Sequence, residues 1–542
     1  MKKSLLFIMA ITFLGASISA QTVIRYVKPS TQSAAWDHIG DATLVHTSIG
    51  SAQNATPAPD EIWVAAGTYS VTSYINMKDG INLFGGFLGT ENAKNERATS
   101  DLDLNGHTEA WEYTNATIIS GDGTHRILRT NGSYTAGCTW EGLTVTGGGG
   151  SGSGVGAYLL SNTGLKNCII KENHGSGATG SVYAGAIQNK GGLVESCLIE
   201  NNSITSDDAS TPAIYGVGIA CSDGAVMRNS VIRNNKGIAG SASFNGNYNN
   251  MRGGGVYLNK TGEAINCVIY NNETGNGAGV YINNQAPNNA NKLIGCTVVN
   301  NKALNVAGGL YAYECGDIYN NVIWNNIDNT TPGDASSSCN VNINKRDTET
   351  SIVKYNYNAV NGNVLGSANN TISTPTIFTI ADANNGTPNP VKFILPTSFQ
   401  GVSTSAAQQT EIEKANWDLA DGSYCINRGD KTLTTETTDI MGAARVQQNI
   451  IDLGAYETIY LATSLIKDKE VAQLVYPNPA TNYINLATEV KAVQVYNVGG
   501  SLVKQLENTN NTIEISDLSS GIYILKLSME GGSTLTTKLI KR

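Results

Sequence analysis

One seven-residue pattern recurs six times along the middle of the chain and leaves few folds open. It reads NCIIKEN from Asn167, SCLIENN from Ser196, NSVIRNN from Asn229, NCVIYNN from Asn266, GCTVVNN from Gly295 and NNVIWNN from Asn320. The second positions, 168, 197, 230, 267, 296 and 321, are 29, 33, 37, 29 and 25 residues apart. About ten residues before each lies a second motif: GAYLLSN, GAIQNKG, GIACSDG, GVYLNKT, GVYINNQ and GLYAYEC. Each repeat thus holds two short strands and variable turns, without a helical pattern. Such a unit cannot bury its apolar face alone, so the units must stack. Stacking each strand on its predecessor about 4.8 Å away gives an all-β fold, a parallel β-helix.

Alternation along a strand sets the register. In NCVIYNN it puts Cys267 and Ile269 inside and Val268 and Tyr270 outside. The Ile269 column reads Ile170, Ile199, Ile232, Ile269, Val298 and Ile323, as an interior column must. The next column, Lys171, Glu200, Arg233, Tyr270, Val299 and Trp324, mixes all chemistries, as an outward one can. Asn173, Asn202, Asn235, Asn272, Asn301 and Asn326 end the strands. Asn tolerates left-handed backbone there, and its amide can bond the equivalent Asn of the next coil, forming a ladder at a buried corner.

The same register explains four of the nine cysteines. Cys168, Cys197, Cys267 and Cys296 share one interior column, with Ser230 as the small substitute. Stacked side chains about 4.8 Å apart exceed the Cβ separation that a disulfide prefers, so a buried thiol column is expected. Pairing of Cys221 with Cys315, or of Cys339 with Cys425, stays open. No C-x-x-C pair or His cluster suggests a metal.

The first 20 residues read as an export signal: Lys2 and Lys3, an apolar run from Leu5 to Leu14, then small residues before Gln21. No later run of about 18 apolar residues suggests a membrane span. With a net charge of −9 there is no basic excess to neutralise phosphates, which argues against nucleic acid as a partner. Past a polar linker at 458–472, alternating segments between turn signals predict a small antiparallel sandwich over 473–542.

Two resemblances go further. The repeats with their flanks, RYVKPST, DEIWVAAGTY (Asp60 to Tyr69) and LFGGFLGTE (Leu83 to Glu91), resemble the exported right-handed, pectin-lyase-like β-helix proteins of Bacteroidetes-type bacteria. SYCINRGD (Ser423 to Asp430) and DIMGAARVQQNIIDLGAYE (Asp439 to Glu457) are similar to the closing signature of the choice-of-anchor Q domain, matching at Gly442, Arg445, Asp452, Gly454, Ala455, Tyr456 and Glu457. The resemblance implies a cap and first coils over 21–115, regular coils over 116–345, and distal coils with a closing motif over 346–457. It also makes Arg428 of the Arg428-Gly429-Asp430 triplet a variable slot rather than a cell-adhesion motif. The last segment resembles the type A sorting domain of type IX secretion, matching at Tyr476, Pro477, Asn478, Pro479, Gly500, Leu518, Gly521, Tyr523 and the basic end. That resemblance implies the type IX machinery as partner, and a secreted or cell-surface location.

Chemistry is less legible. Pectin-lyase-like folds host lyases and hydrolases, so residues must decide. Asp207 and Asp208 form the best carboxylate pair for a hydrolase. His174, in Asn173-His174-Gly175, is the nearest match to the Gly-His-Gly that accompanies such a pair, but it precedes the pair, lacks the first Gly and reads as a turn residue. A lyase needs a base and usually calcium. Lys345, Arg346 and Asp347 sit together without a nearby run of acidic ligands, so neither calcium nor any other cofactor has support. Tyr257, Tyr281 and Tyr311, with Tyr158 equivalent to them, point outward if Val256 and Leu258 point inward. Such a row either stacks on sugar rings or stacks on itself to stabilise the sheet. A surface-displayed, non-catalytic β-helix that binds glycan or a host surface is the expectation, with an extracellular polysaccharide lyase or glycoside hydrolase as its rival.

Overall fold

The computed structural model describes residues 21–177, 181–206, 213–240, 248–283, 291–313, 316–328, 340–344, 353–360, 364–366, 377–379, 391–458, 475–486, 490–497, 501–507, 511–528 and 534–542. They form two units, Met1–Thr458 and Ile459–Arg542. The export signal, the linker, Gly500, Asp207, Asp208 and Lys345 to Asp347 lie outside the described residues.

The first unit is a parallel β-helix. Twelve-, eleven-, ten- and nine-stranded sheets run along it, and their strand pairs are parallel throughout. One coil shows the path: Glu263–Ile265 lies in the first sheet, Val268–Tyr270 in the second, Glu273–Asn276 in the fourth and Val280–Asn283 in the third. Lys292–Ile294 then restarts in the first sheet. This coil therefore holds four strands where two were expected, and the three coils before it, from Thr163 to Asn259, hold five. Single left-handed residues divide the extended runs: Asn266 (φ 50°) turns the chain from the first sheet to the second, and Asn271 (φ 50°) turns it again.

The predicted register holds. Cys267 and Ile269 are fully buried among the interior residues, on whose other walls lie Val256, Leu258 and Ala264. Asn173, Asn202, Asn235, Asn272, Asn301, Asn326 and Asn340 form a continuous amide ladder, with Nδ2–Oδ1 distances of 2.9–3.0 Å. The left-handed backbone, however, belongs to the residue before each rung: Glu172, Asn201, Asn234, Asn271, Asn300 and Asn325. Extended rungs keep their amides pointing inward and in line, which a left-handed rung would prevent.

The thiol column is as expected. Cys168, Cys197, Cys267 and Cys296 are free and buried. Burial pushes the Cys197 and Cys267 thiols well up, so neither is a nucleophile. Cys221 and Cys425 are also free and buried, while Cys315 and Cys339 lie outside the described residues.

The outward column departs from expectation. Glu200, Arg233, Tyr270, Val299 and Trp324 are buried, because residues 391–458 fold back along the outer face of the second sheet. Strands Phe393–Leu395 and Asn416–Leu419 pair antiparallel, and helix Ala406–Glu413 starts at Ser405, whose Oγ accepts from Gln408 N at 3.3 Å. Trp417, Ile412, Leu453 and Tyr456 supply the cover. The left-handed asparagines hold it: Asn271 Nδ2 donates to Gly401 O at 2.8 Å, Asn300 Nδ2 to Thr397 O at 2.8 Å and Asn266 Nδ2 to Thr438 O at 2.8 Å. The closing signature is thus a lateral cover. Its centre is Arg445, fully buried, with Nη1 at 2.8 Å from Glu457 Oε1 and Nη2 donating to Gly454 O at 2.8 Å.

The second unit pairs a three-stranded with a four-stranded antiparallel sheet around Ile484, Val493, Val495, Ile513, Leu525 and Leu527.

Candidate functional site

The outward face of the third sheet carries a continuous strip of aromatic rings. Tyr257, Tyr281 and Tyr311 are register partners on successive coils, as the spacing predicted. Their ring centroids are 5.8 Å and 4.8 Å apart, both pairs stacked. The strip is longer than the sequence suggested. Tyr183 and Tyr215, on returning strands Ser181–Tyr183 and Ala213–Tyr215 of the fourth sheet, continue it at 4.8 Å from each other and 5.3 Å from Tyr215 to Tyr257. Arg252 follows Tyr215 in register, and its guanidinium lies 5.2 Å from the Tyr281 ring centre.

These neighbours change the character of the strip. Tyr257 and Tyr281 are only 3% and 4% exposed, so they do not stand free as expected. Burial pushes both phenols above their ordinary value. The close approach depends on Gly216 (φ +74°), where a Cβ would fall 2.9 Å from Tyr257 Cβ. Only glycine fits there. Tyr183, Tyr215, Tyr311 and Tyr313 stay partly open. Tyr158 shares the column but is separated from Tyr257 by Gln188 and Ala220, and stacks with Arg126 instead. A signal for the missed tyrosines was present: Tyr183, Tyr215 and Arg252 each stand five residues before a column position, followed by small residues, in YAGAI, YGVGI and RGGGV.

Beside the strip lies a groove of about 200 Å³, bordered by Tyr183, Gln188, Lys190, Asp223, Tyr257, Asn259 and Lys260. Asp223 is its one carboxylate among the described residues and is already engaged, by Ser222 Oγ at 2.9 Å and Lys260 Nζ at 3.5 Å. His174 stands elsewhere, exposed in strand His174–Gly177 rather than in a turn, with Nδ1 at 2.8 Å from Ser203 Oγ. It is extended because its backbone pairs with Ser203 and Gly149 on either side.

The Arg428-Gly429-Asp430 triplet is built into the cover. Asp430 and Asn320 exchange two hydrogen bonds of 2.9 Å, and Asp430 Oδ1 accepts from Thr432 N at 2.8 Å. Arg428 lies over the Tyr424 ring. In the second unit, Asn478 pins the last strand: Nδ2 donates to Lys538 O at 2.6 Å and Oδ1 accepts from Ile540 N at 2.9 Å. Tyr523 OH donates to Ser519 O at 2.8 Å. Pro477 and Pro479 flank Asn478 on cis peptide bonds, and Tyr476 and Gly521 are exposed. Among the described residues, no helix is long and apolar enough to cross a membrane.

A parallel β-helix joined to an antiparallel C-terminal unit with this motif defines an exported surface or secreted protein. Residues 474–542 match the family model of the secretion system C-terminal sorting domain, which directs the chain by type IX secretion to the cell surface or beyond. Beta-agarase D of Zobellia galactanivorans is 33% identical over 67 residues, 12% of this chain and 14% of that protein, so the chain spans only a small part of that relative's length. The crystal structure of pectate lyase Pel9A is similar over 80% of this chain and 96% of that one, at a TM-score of 0.43 and 14% identity.

Proposed function

We propose that the β-helix is a non-catalytic carbohydrate-binding surface, displayed outside the cell by its sorting domain, and that the tyrosine strip is where sugar lies. The observation that carries this reading is the five-ring strip from Tyr183 to Tyr311, whose Tyr183 end borders a groove lined by amides, lysines and one carboxylate. Rigid aromatic faces and edges contact sugar C–H groups with little loss of side-chain entropy, and neighbouring amides and ammonium groups bond hydroxyls. Glycoside hydrolysis needs two carboxyl groups flanking one bond. The described lining of the groove supplies one, held by Lys260.

The test is a binding panel of pectate, agarose and host-type glycans with the full chain. Saturable binding that weakens in Tyr311→Ala and Tyr215→Ala, with no new reducing or unsaturated ends, is expected. New ends would favour a lyase or hydrolase, and binding indifferent to both substitutions would remove the strip from the account.

A further inference from the structure

The segment Asp101 to Glu112 reads DLDLNGHTEAWE. Acidic or amide oxygens stand at its first, third, fifth, ninth and twelfth places, and Gly106 (φ +96°) at its sixth. That is the spacing of a twelve-residue calcium loop, in which the glycine permits the sharp turn and the twelfth carboxylate closes the site.

The folded loop converges as the spacing requires. One oxygen each from Asp101, Asp103 and Glu112 lie within 4.8 Å of one another. Calcium holds oxygens at 2.3–2.6 Å, so two ligands of one ion stand at most about 5 Å apart. Asp101 Oδ2 accepts from Gly106 N at 3.1 Å, which folds the turn inward.

A second observation is independent of that convergence. Glu109 is 7% exposed, and its Oε2 is buried without a hydrogen-bond donor. Its carboxyl packs against that of Glu112 and near Asp103. Asp101 Oδ1 is buried and lacks a donor in the same way. Leu102 N and Glu109 N serve Glu112 at 2.8 and 2.9 Å, and Asn105 Nδ2 serves Glu109 Oε1 at 2.8 Å, which leaves Glu109 Oε2 and Asp101 Oδ1 buried without a donor. Leaving them so is costly, and a divalent cation is a compensation that this geometry fits. Among the described residues, Arg233 is the cation that reaches the cluster: Nη1 lies 3.3 Å from Asp103 Oδ2, on the side facing the second sheet.

We infer that the Asp101–Glu112 loop binds one calcium ion, with Asp101, Asp103 and Glu112 as ligands and the Glu109 carboxyl beside them. The site sits where three parts meet. Asp103 touches Arg233 of the second sheet, Asn416 Nδ2 of the lateral cover donates to Asn105 O at 3.1 Å, and His107 Nε2 lies 3.3 Å from Asp418 Oδ2. Calcium there fixes the loop and, through it, the seam between helix and cover.

Equilibrium dialysis of calcium-45 with the chelator-washed full chain tests the inference. One saturable site is expected, with half-saturation in the extracellular-module range of about 0.1–1 mM, and a higher Tm with calcium than with magnesium. Asp101→Asn and Glu109→Gln should each weaken binding about tenfold or more. Should either variant fail to fold, terbium on the unmodified chain replaces it: Trp111 within the loop should sensitise terbium emission, which calcium displaces and Trp111→Phe abolishes. The absence of saturable calcium binding, equal preference for magnesium, unchanged binding in both folded variants, or terbium emission indifferent to Trp111 would each overturn the assignment.

Discussion

The β-helix has two outward faces built from the same kind of column, and they end in different states. On the second sheet, Tyr270, Val299 and Trp324 lie beneath Trp417, Ile412 and Leu453 of residues 391–458. On the third sheet, among the described residues, Tyr257 and Tyr281 pack with neighbouring tyrosines, Ala184, Ala220 and Arg252, and the ends of the strip stay partly open. An outward column is thus scaffold where the chain returns to cover it, and available surface where the chain does not. Substitutions that act on one face and spare the other test the distinction.

The largest effect belongs to the covered face. Trp417→Ala removes the ring that packs against Tyr270 at 5.3 Å and Phe393 at 5.1 Å, so a loss of about 3–5 kcal/mol is expected. Urea unfolding monitors it. Glycan affinity should be unchanged wherever the variant is folded, since this cover packs on the second sheet and the strip lies on the third. A parallel loss of affinity would merge the two faces into one system.

The seam of the covered face also sets a pH response. Burial and Glu112 push Glu109 up to about 8, and burial pushes Asp103 up to about 6 against the pull of Arg233. In the unfolded chain Glu109 ionises near 4.5, so between that value and about 8 the folded chain holds a proton that the unfolded chain has released. Stability contributed by the neutral form is complete below the unfolded value and is lost as pH rises through the folded one. Metal-free chain should therefore lose on the order of 2 kcal/mol from pH 5 to pH 8. Unfolding curves at the two values read this loss, Glu109→Gln should flatten it, and a metal-free stability that rises with pH would contradict the burial of Glu109.

A smaller effect isolates one hydrogen bond across the cover. Tyr270 OH donates to Ile412 O at 2.9 Å and accepts from Arg233 Nη1 at 3.0 Å. Tyr270→Phe keeps the ring and leaves both partners short of one bond, for an expected cost of about 1–2 kcal/mol. A neutral result would show that the ring alone holds the cover.

The difference between the faces explains what was legible in the sequence. The interior was, because alternation within one strand and repetition between coils are local facts: Ile269, Cys267 and Asn272 sit where their columns predict. The cover was not, because 391–458 shares no repeat with the strands it lies on. A trace existed, since the outward column drifts from Lys171, Glu200 and Arg233 to Tyr270, Val299 and Trp324, and an apolar end to an outward column calls for a partner. The tyrosine row was legible in register and not in exposure, because Tyr183 and Tyr215 reach it from another sheet. The Asp101–Glu112 spacing was legible too, but it lies outside the repeats and so outside the pattern that organised the reading.

The smallest change in stability, and the sharpest in function, is expected at the open end of the strip. Tyr311 is partly exposed and stacks on Tyr281 at 4.8 Å with an 8° interplanar angle. Tyr311→Ala removes one stacking partner, so the stacking contribution of about 0.5–1.5 kcal/mol should be lost from stability. The same change uncovers one face of Tyr281 and removes a ring edge from the sugar path, so affinity for the best glycan of the panel should fall about tenfold, roughly 1.4 kcal/mol. Tyr311→Phe should keep both. That pairing separates the two meanings of a stacked tyrosine: if Tyr311→Ala costs stability and leaves affinity alone, the strip serves the sheet, and if affinity falls further than stability, it serves the ligand.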